Sequence, residues 1–143
     1  MKHFLYIVAA LLIFAMPSFA ADSKDSCCKD KKSSAAKTEN CCKTDCKSCA
    51  EVCKKALAYC QKKGGKHADA KHINTLKDCI ALCTANADLG SRNSKLSGKL
   101  MEVCAKACAD CAKSCEALND KELKACVDSC NSCAKLCSDG DHH

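Results

Sequence analysis

The most regular pattern along the chain is a 4-3-4 spacing that repeats one residue type on one face of a helix. Three sets of cysteines have this spacing: Cys42-Cys46-Cys49-Cys53, Cys104-Cys108-Cys111-Cys115 and Cys126-Cys130-Cys133-Cys137. A degenerate copy on another segment is His72-Leu76-Cys79-Cys83. Because residues three and four apart share one side of an α-helix, each set predicts a helix whose stripe faces a common core.

Turn-forming residues separate these four segments, in the stretches QKKGGK, DLGSRNS and EALND. Gly64 and Gly90 are expected just after the first and second helices. Asn119, with Glu122 three residues later, predicts a capping box that starts the last helix. No segment alternates apolar and polar residues as a strand would. The sequence therefore predicts an all-α, antiparallel up-down-up-down four-helix bundle with a Cys-lined core over residues 41–138.

The N-terminus has the pattern of a secretory signal rather than of the bundle. Lys2 precedes the apolar run FLYIVAALLIFA, which is shorter than the ~20 residues a membrane helix needs. The small residues Ser18 and Ala20 occupy positions −3 and −1 before a cleavage site, so residues 1–20 are predicted to be a Sec-type signal peptide. We expect export to the periplasm or outside the cell, without membrane insertion after signal removal. Residues 21–40 are expected to be a flexible Cys-containing leader, and residues 139–143 a tail.

The composition indicates that aliphatic packing alone does not stabilise this domain. The chain has 18 cysteines, all beyond the predicted signal, where Tyr59 is the only aromatic residue. A domain of this length normally buries a larger apolar core. The net charge of +6 comes from lysines spread among acidic residues, with no aromatic interleaving. This pattern is typical of a solvated surface and argues against nucleic-acid binding.

Three uses of the cysteines other than metal binding can be weighed. As small apolar residues they would bury less surface than leucine or valine. Disulfides are common in exported proteins, but thiols on one helix face have nearly parallel Cα–Cβ bonds that suit a bridge poorly. A disulfide-stabilised exported structural or binding module remains the alternative function. The C-x-x-C matches follow from helical register and have no preceding strand, so we expect no enzyme.

Metal binding fits the stripes best, and the ligand type indicates which metal. Structural zinc prefers separate groups of four ligands, and the bacterial iron–sulfur run has a different order of spacings. Many thiolates without matching His or carboxylate ligands favour soft ions, above all multiple Cu(I) ions. Bound ions would cross-link helices and so stabilise the fold. The predicted metal ligands are Cys42, Cys46, Cys49, Cys53, Cys60, Cys79, Cys83, Cys104, Cys108, Cys111, Cys115, Cys126, Cys130, Cys133 and Cys137.

The striped bundle resembles the four-helix-bundle copper storage proteins, in particular their exported branch. The resemblance covers about Asn40 to Cys137 and rests on the 4-3-4 sets, the Cys79/Cys83 helix and the linker LGSRNSKLSGKLMEVC. It implies multinuclear Cu(I) along the core, storage or detoxification without turnover, and a copper donor or acceptor protein as partner. Exported relatives carry a twin-arginine signal, unlike this chain, and some have a cysteine where this chain has Met101.

Two ends of the predicted bundle could admit copper. Topology gathers Cys42, Cys83, Met101 and Cys137 at one end, and Cys60, His67 and His72 at the other. In the family, His and Met near the first-to-second helix loop line the entrance, which favours the second end and His72 as the gate ligand. The candidate entry residues are His72, His67, Met101, Cys41, Cys27 and Cys28.

Overall fold

Three short connections divide the chain into four α-helices. The computed structural model describes the backbone of residues 35–139 and the side chains of residues 44–139. The helices are α1 (Ala35–Lys63), α2 (Ala70–Ser91), α3 (Leu96–Glu116) and α4 (Lys124–Asp139). One 3₁₀ turn lies between α1 and α2 (Gly65–Ala68) and another precedes α4 (Lys121–Leu123). No strand occurs between residues 35 and 139, and the predicted all-α fold is confirmed.

The helices form an antiparallel bundle in which α1 and α3 each pack against both α2 and α4. Cys46 of α1 lies near the end of α4, with its Sγ 3.7 Å from that of Cys137. Cys53, two turns later in α1, lies instead near the start of α4, 3.7 Å from Cys126. The two helices therefore run in opposite directions, and the short connections make sequence neighbours antiparallel as well.

The helix ends agree with the predicted signals at one site and differ at two. Gly64 follows α1 with a φ of 73°, in the left-handed region that favours glycine. Gly90, however, lies inside α2; Asn93 (φ 53°) takes the left-handed position, and the Ser94 N–H bonds the Leu89 carbonyl at 2.9 Å. The predicted Asn119 capping box is also wrong, because Asp120 accepts the N–H of Glu122 instead.

Helix α1 begins earlier than the predicted bundle. Its first residue is Ala35, whereas the sequence places the start of the bundle at residue 41. The added turns contain alanine, lysine and glutamate, which have high helix propensity. High local propensity lets a helix extend beyond the residues that its stripe requires.

Thiols rather than aliphatic side chains fill the centre of the bundle. Among the largest fully buried side chains of residues 44–139, only Leu76 and Leu123 are not cysteines. Larger apolar residues such as Val52, Ile73 and Ile80 are partly buried around this centre and pack against it. The stripes therefore direct cysteine to the axis and aliphatic residues to the seams between helices, as the 4-3-4 spacing predicts.

The outer surface is mainly polar. Lysines pair with acidic residues one turn away on the same helix, as in Lys106–Asp110 (2.6 Å) and Lys124–Asp128 (2.7 Å). Leu96 and Val103 are the large apolar side chains exposed among the described residues. Within that part of the chain, no helix combines the length and apolar character needed to cross a membrane.

Candidate metal centre

The four stripes bring fourteen thiols into one continuous interior column. Each of these thiols is buried, and none forms a disulfide within residues 44–139. Sulfurs from different helices approach closely, for example Cys53–Cys130 (3.4 Å), Cys83–Cys108 (3.4 Å) and Cys46–Cys133 (3.6 Å). The column is therefore built mainly from contacts between helices, which the stripes alone could not specify.

Twelve of these thiols form four groups of four, with all sulfurs of a group within 4.8 Å of one another. The groups are Cys46/Cys104/Cys133/Cys137, Cys49/Cys83/Cys108/Cys133, Cys49/Cys53/Cys79/Cys130 and Cys53/Cys111/Cys126/Cys130. Adjacent groups share members: Cys133 joins the first two groups, Cys49 the second and third, and Cys53 and Cys130 the third and fourth. The result is one chain of overlapping sulfur sites along the bundle axis.

The sulfur spacing suits soft metal ions of low coordination number. A metal–sulfur bond of about 2.3 Å, the length found for zinc thiolates, separates two sulfurs by about 4.6 Å in a linear site and about 4.0 Å in a trigonal one. Neighbouring sulfurs here lie between 3.4 and 4.0 Å apart, so small side-chain shifts reach either geometry. All members of the four groups are cysteines, so the groups offer none of the oxygen ligands that hard ions need.

Protonation of the column is strongly coupled because the thiols are each other's hydrogen-bond partners. The hydrogen bond with Cys104 raises the pKa of Cys83, and hydrogen bonds with Cys108 and Cys130 lower the pKa of Cys49. Burial raises the pKa of Cys60, and the nearby Cys126 adds to this effect. Neighbouring sulfurs cannot all carry negative charge in a dry interior, so metal ions must displace protons as they bind.

One end of the column, the Cys60 end, terminates in a histidine. The Nε2 atom of His72 lies 3.4 Å from the Cys60 sulfur, and its Nδ1 atom lies 2.7 Å from the Ser114 hydroxyl oxygen. Burial lowers the pKa of His72, and repulsion by His67 lowers it further. A neutral imidazole with one nitrogen directed at a thiol is a competent metal ligand. Outside this end, a surface cavity is lined by His72, Ser114, Lys71 and Lys113, among others.

Next to the Cys60 end, the carboxylate of Asp120 contacts three side chains from α1 and the turn that follows it. Its Oδ2 accepts hydrogen bonds from the Tyr59 hydroxyl (2.8 Å) and from Lys63, and it lies 2.8 Å from His67 Nε2. The hydrogen bond from Lys63, followed by that from the Glu122 N–H, holds the pKa of Asp120 well below its usual value. His67 is thus bound to a carboxylate beside the column, whereas His72 contacts the column itself.

The opposite end, the Cys46 end, contains the Cys46/Cys104/Cys133/Cys137 group. Met101 lies one turn before Cys104 and is 4% exposed, so its thioether belongs to the core at this end. Asn86 is also buried here and donates a hydrogen bond from Nδ2 to the Cys46 sulfur at 3.5 Å. His72 and Met101, both candidate entry residues, consequently lie at opposite ends of the bundle.

The predicted ligand set is mostly brought together. Of its fifteen cysteines, fourteen lie in the column; the side chain of the remaining one, Cys42, lies outside the described residues, as does that of Cys41. Cys27 and Cys28 lie outside the described residues altogether.

Sequence reasoning missed Asn86, Ser114 and Asp120. Only Asn86 carried a signal, since it continues the α2 stripe three residues after Cys83.

Comparison with known proteins identifies the family. A family model described as copper storage protein matches residues 20–141, while no curated protein matches the chain. Among solved structures, the Nmul_A1745 protein from Nitrosospira multiformis is 31% identical with a TM-score of 0.68, covering 73% of this chain and 94% of its own. A cytosolic copper storage protein from Streptomyces lividans, solved with five coppers, is 27% identical with a TM-score of 0.68, covering 76% and 96%.

A third structure supports the fold alone. The Cu(I)-bound copper storage protein BsCsp3 is 20% identical with a TM-score of 0.67, covering 71% of this chain and 96% of its own. The family match extends over residues 20–141 and so includes the whole thiol column. This chain belongs to the copper storage protein family.

Proposed function

We propose that this protein stores multiple Cu(I) ions on the thiolates of its interior column. Copper storage is the function of the family to which the chain belongs. The observation that carries the residue assignment is the run of four overlapping four-thiol groups along the axis. The proposed ligands are the fourteen cysteines of the column together with Cys42.

Charge balance favours a monovalent ion in this column. Each buried thiolate brings one negative charge, and unneutralised charge in a dry interior is costly. Ions that carry one positive charge can neutralise the thiolates one for one, even where Cys53 or Cys130 is shared by two groups. Divalent zinc, which prefers four thiolates of its own, would be limited by that sharing. We therefore expect Cu(I) capacity to approach the 14 column thiols and zinc capacity to be much smaller.

An anaerobic Cu(I) titration of the fully reduced mature protein against a competing chelator tests the proposal. Binding of many equivalents that withstand the chelator is the expected result. A parallel zinc titration is the control for metal type. Binding of two or fewer Cu(I) equivalents would refute storage on the column. A thiol count on protein isolated without reductant then distinguishes the alternative, because a disulfide-stabilised module would have mostly bridged cysteines.

Copper is proposed to enter at the Cys60 end. His72 supports this assignment because it is the ligand-type side chain that connects Cys60 with the surface cavity. His67 is held by Asp120, and Met101 lies at the opposite end. His72→Leu should slow copper uptake while leaving the final capacity nearly unchanged.

Stopped-flow uptake measurements compare His72→Leu with Met101→Leu, a matched apolar substitution at the other end. Slower uptake in Met101→Leu, with normal uptake in His72→Leu, would place the entrance at the Cys46 end instead. Equal uptake by both variants and the wild type would remove both residues from the entry route. The cysteines at positions 27, 28 and 41 can be tested in the same assay by serine substitution.

The protein is further proposed to be exported and to act without catalytic turnover. The signal-like pattern of residues 1–20 supports export, and the family match begins only at residue 20. Mass spectrometry of the protein from fractionated cells should show a mature chain beginning at Ala21, outside the cytoplasm. A cytoplasmic chain that retains Met1 would contradict export without affecting the copper assignment.

A further inference from the structure

The α2 stripe continues beyond its last cysteine into a buried amide. Asn86 lies three residues after Cys83, is 2% exposed and faces the Cys46 end of the column. Its Nδ2 donates a hydrogen bond to the Cys46 sulfur at 3.5 Å, and its Oδ1 accepts one from the Ser97 hydroxyl at 3.0 Å. A polar side chain at a core position where the other stripes carry cysteine requires a physical reason.

The hydrogen bonds on both sides of the amide define what Asn86 can recognise. Ser97 lies in the first turn of α3, so the amide is held between α2 and α3 with its oxygen directed at the hydroxyl. Its N–H group then faces Cys46. A thiolate is an acceptor and has no proton to donate, so this orientation complements the deprotonated, metal-bound form of the sulfur.

We propose that Asn86 is a positioning residue for copper in the Cys46/Cys104/Cys133/Cys137 group, acting through an N–H···S hydrogen bond to the Cys46 thiolate. The proposal rests on the proposed function, since it concerns ions bound by that group. Partners that bond to metal ligands typically change metal affinity about 10–100-fold when they are removed. Because Cys46 belongs to only one of the four groups, the effect is confined to ions at this end.

A double-mutant cycle tests the pathway of this effect. The variants are Asn86→Leu, Cys46→Ser and the two combined, each titrated with Cu(I) against a series of chelator concentrations. Asn74→Leu is the matched control, because Asn74 is an exposed asparagine on the same helix. Asn86→Leu should shift a subset of the equivalents to about 10–100-fold weaker binding and leave the remainder unchanged. In the double variant, Asn86→Leu should add nothing to the loss caused by Cys46→Ser.

Additive losses in the cycle would overturn the proposal, because Asn86 would then act through general stability rather than through Cys46. Unchanged affinities in Asn86→Leu, alongside a wild type that binds many ions, would overturn it as well. A wild type that fails to bind many ions would refute the proposed function itself. If Asn86→Leu does not fold, Asn86→Ala replaces it; alanine has neither a side-chain donor nor a ligand atom, so unchanged affinity in that variant also overturns the proposal.

Discussion

Cys130 is one of the four thiols shared by two groups, so its loss should reduce the amount of tightly held copper, and Cys115, which belongs to no group, provides its matched control. The sulfur of Cys130 lies 3.4 Å from that of Cys53 and 3.8 Å from that of Cys49, and the residue belongs to two of the four groups. Cys115 is buried to the same extent but belongs to none of them, and it contacts Cys126 at 3.8 Å. Serine at the two positions therefore makes the same chemical change in differently connected parts of the column.

The group membership sets the expected magnitude. Cys130→Ser leaves two of the four groups with four thiolates, whereas Cys115→Ser leaves all four complete. A serine hydroxyl is a poor ligand for a soft ion, so it does not restore the missing site. If tightly held copper depends on complete groups, Cys130→Ser should lose up to about half of the equivalents that withstand a strong chelator, and Cys115→Ser few or none.

The same titration, supported by unfolding measurements, provides the assay. Each substitution leaves a buried hydroxyl, at a cost of about 1–3 kcal/mol in the metal-free protein, so the two variants should lose similar stability. Urea unfolding of both metal-free variants checks that expectation and removes folding as a cause of any difference in copper binding. Equal losses of chelator-resistant copper from Cys130→Ser and Cys115→Ser would refute the idea that complete groups determine how much copper is tightly held.

Three further predictions concern stability. Leu123→Ala should lower the free energy of unfolding of the metal-free protein by about 2–5 kcal/mol, because Leu123 is 1% exposed; a change as small as that of exposed Leu96→Ala would contradict this. Hydrogen bonds, above all the one from Lys63, lower the pKa of Asp120 in the folded state below its usual 3.8. These hydrogen bonds therefore stabilise the fold above about pH 4, and the stabilisation is lost as the pH falls through the folded-state pKa. Asp120→Asn should therefore weaken the pH dependence of acid unfolding followed by circular dichroism, and identical acid transitions would argue against it. Gly64→Ala should lower the free energy of unfolding by about 1–2 kcal/mol, because the φ of +73° is strained for alanine. No atom lies within 4 Å of the added Cβ, so a clash would not contribute, and a raised Tm would contradict backbone strain.

The bundle and its thiol column could be predicted because both depend on periodicity. A 4-3-4 spacing fixes which face of a helix is buried, whatever residue occupies it. With short connections, four such helices can only pack their stripes together. Thus the burial of Cys46, Cys79, Cys108 and Cys130 follows from the sequence, although the particular neighbours of each sulfur do not.

Asp120, one of the residues that sequence reasoning missed, acts across a connection rather than along a helix. Asp120 joins Tyr59, Lys63 and His67, which precede it by more than fifty residues. Gly90 was expected to end α2, but the left-handed conformation of Asn93 allows the helix to continue to Ser91. Such outcomes depend on which loop a side chain meets after packing, and no local spacing encodes that.

Under the proposed assignment, copper storage and fold stability depend on the same residues of this protein. A conventional core would separate them, with aliphatic side chains stabilising the fold and a few polar side chains binding the ligand. Within residues 44–139, Leu76 and Leu123 are the only non-cysteine members of the largest fully buried side chains, so under this assignment the sulfurs serve both purposes. Ions bound by these sulfurs would link helices that thiols alone hold weakly, and their binding free energy would add to the free energy of folding. The resistance of the bundle to unfolding should therefore rise with each ion stored, which makes thermal stability a direct measure of copper content.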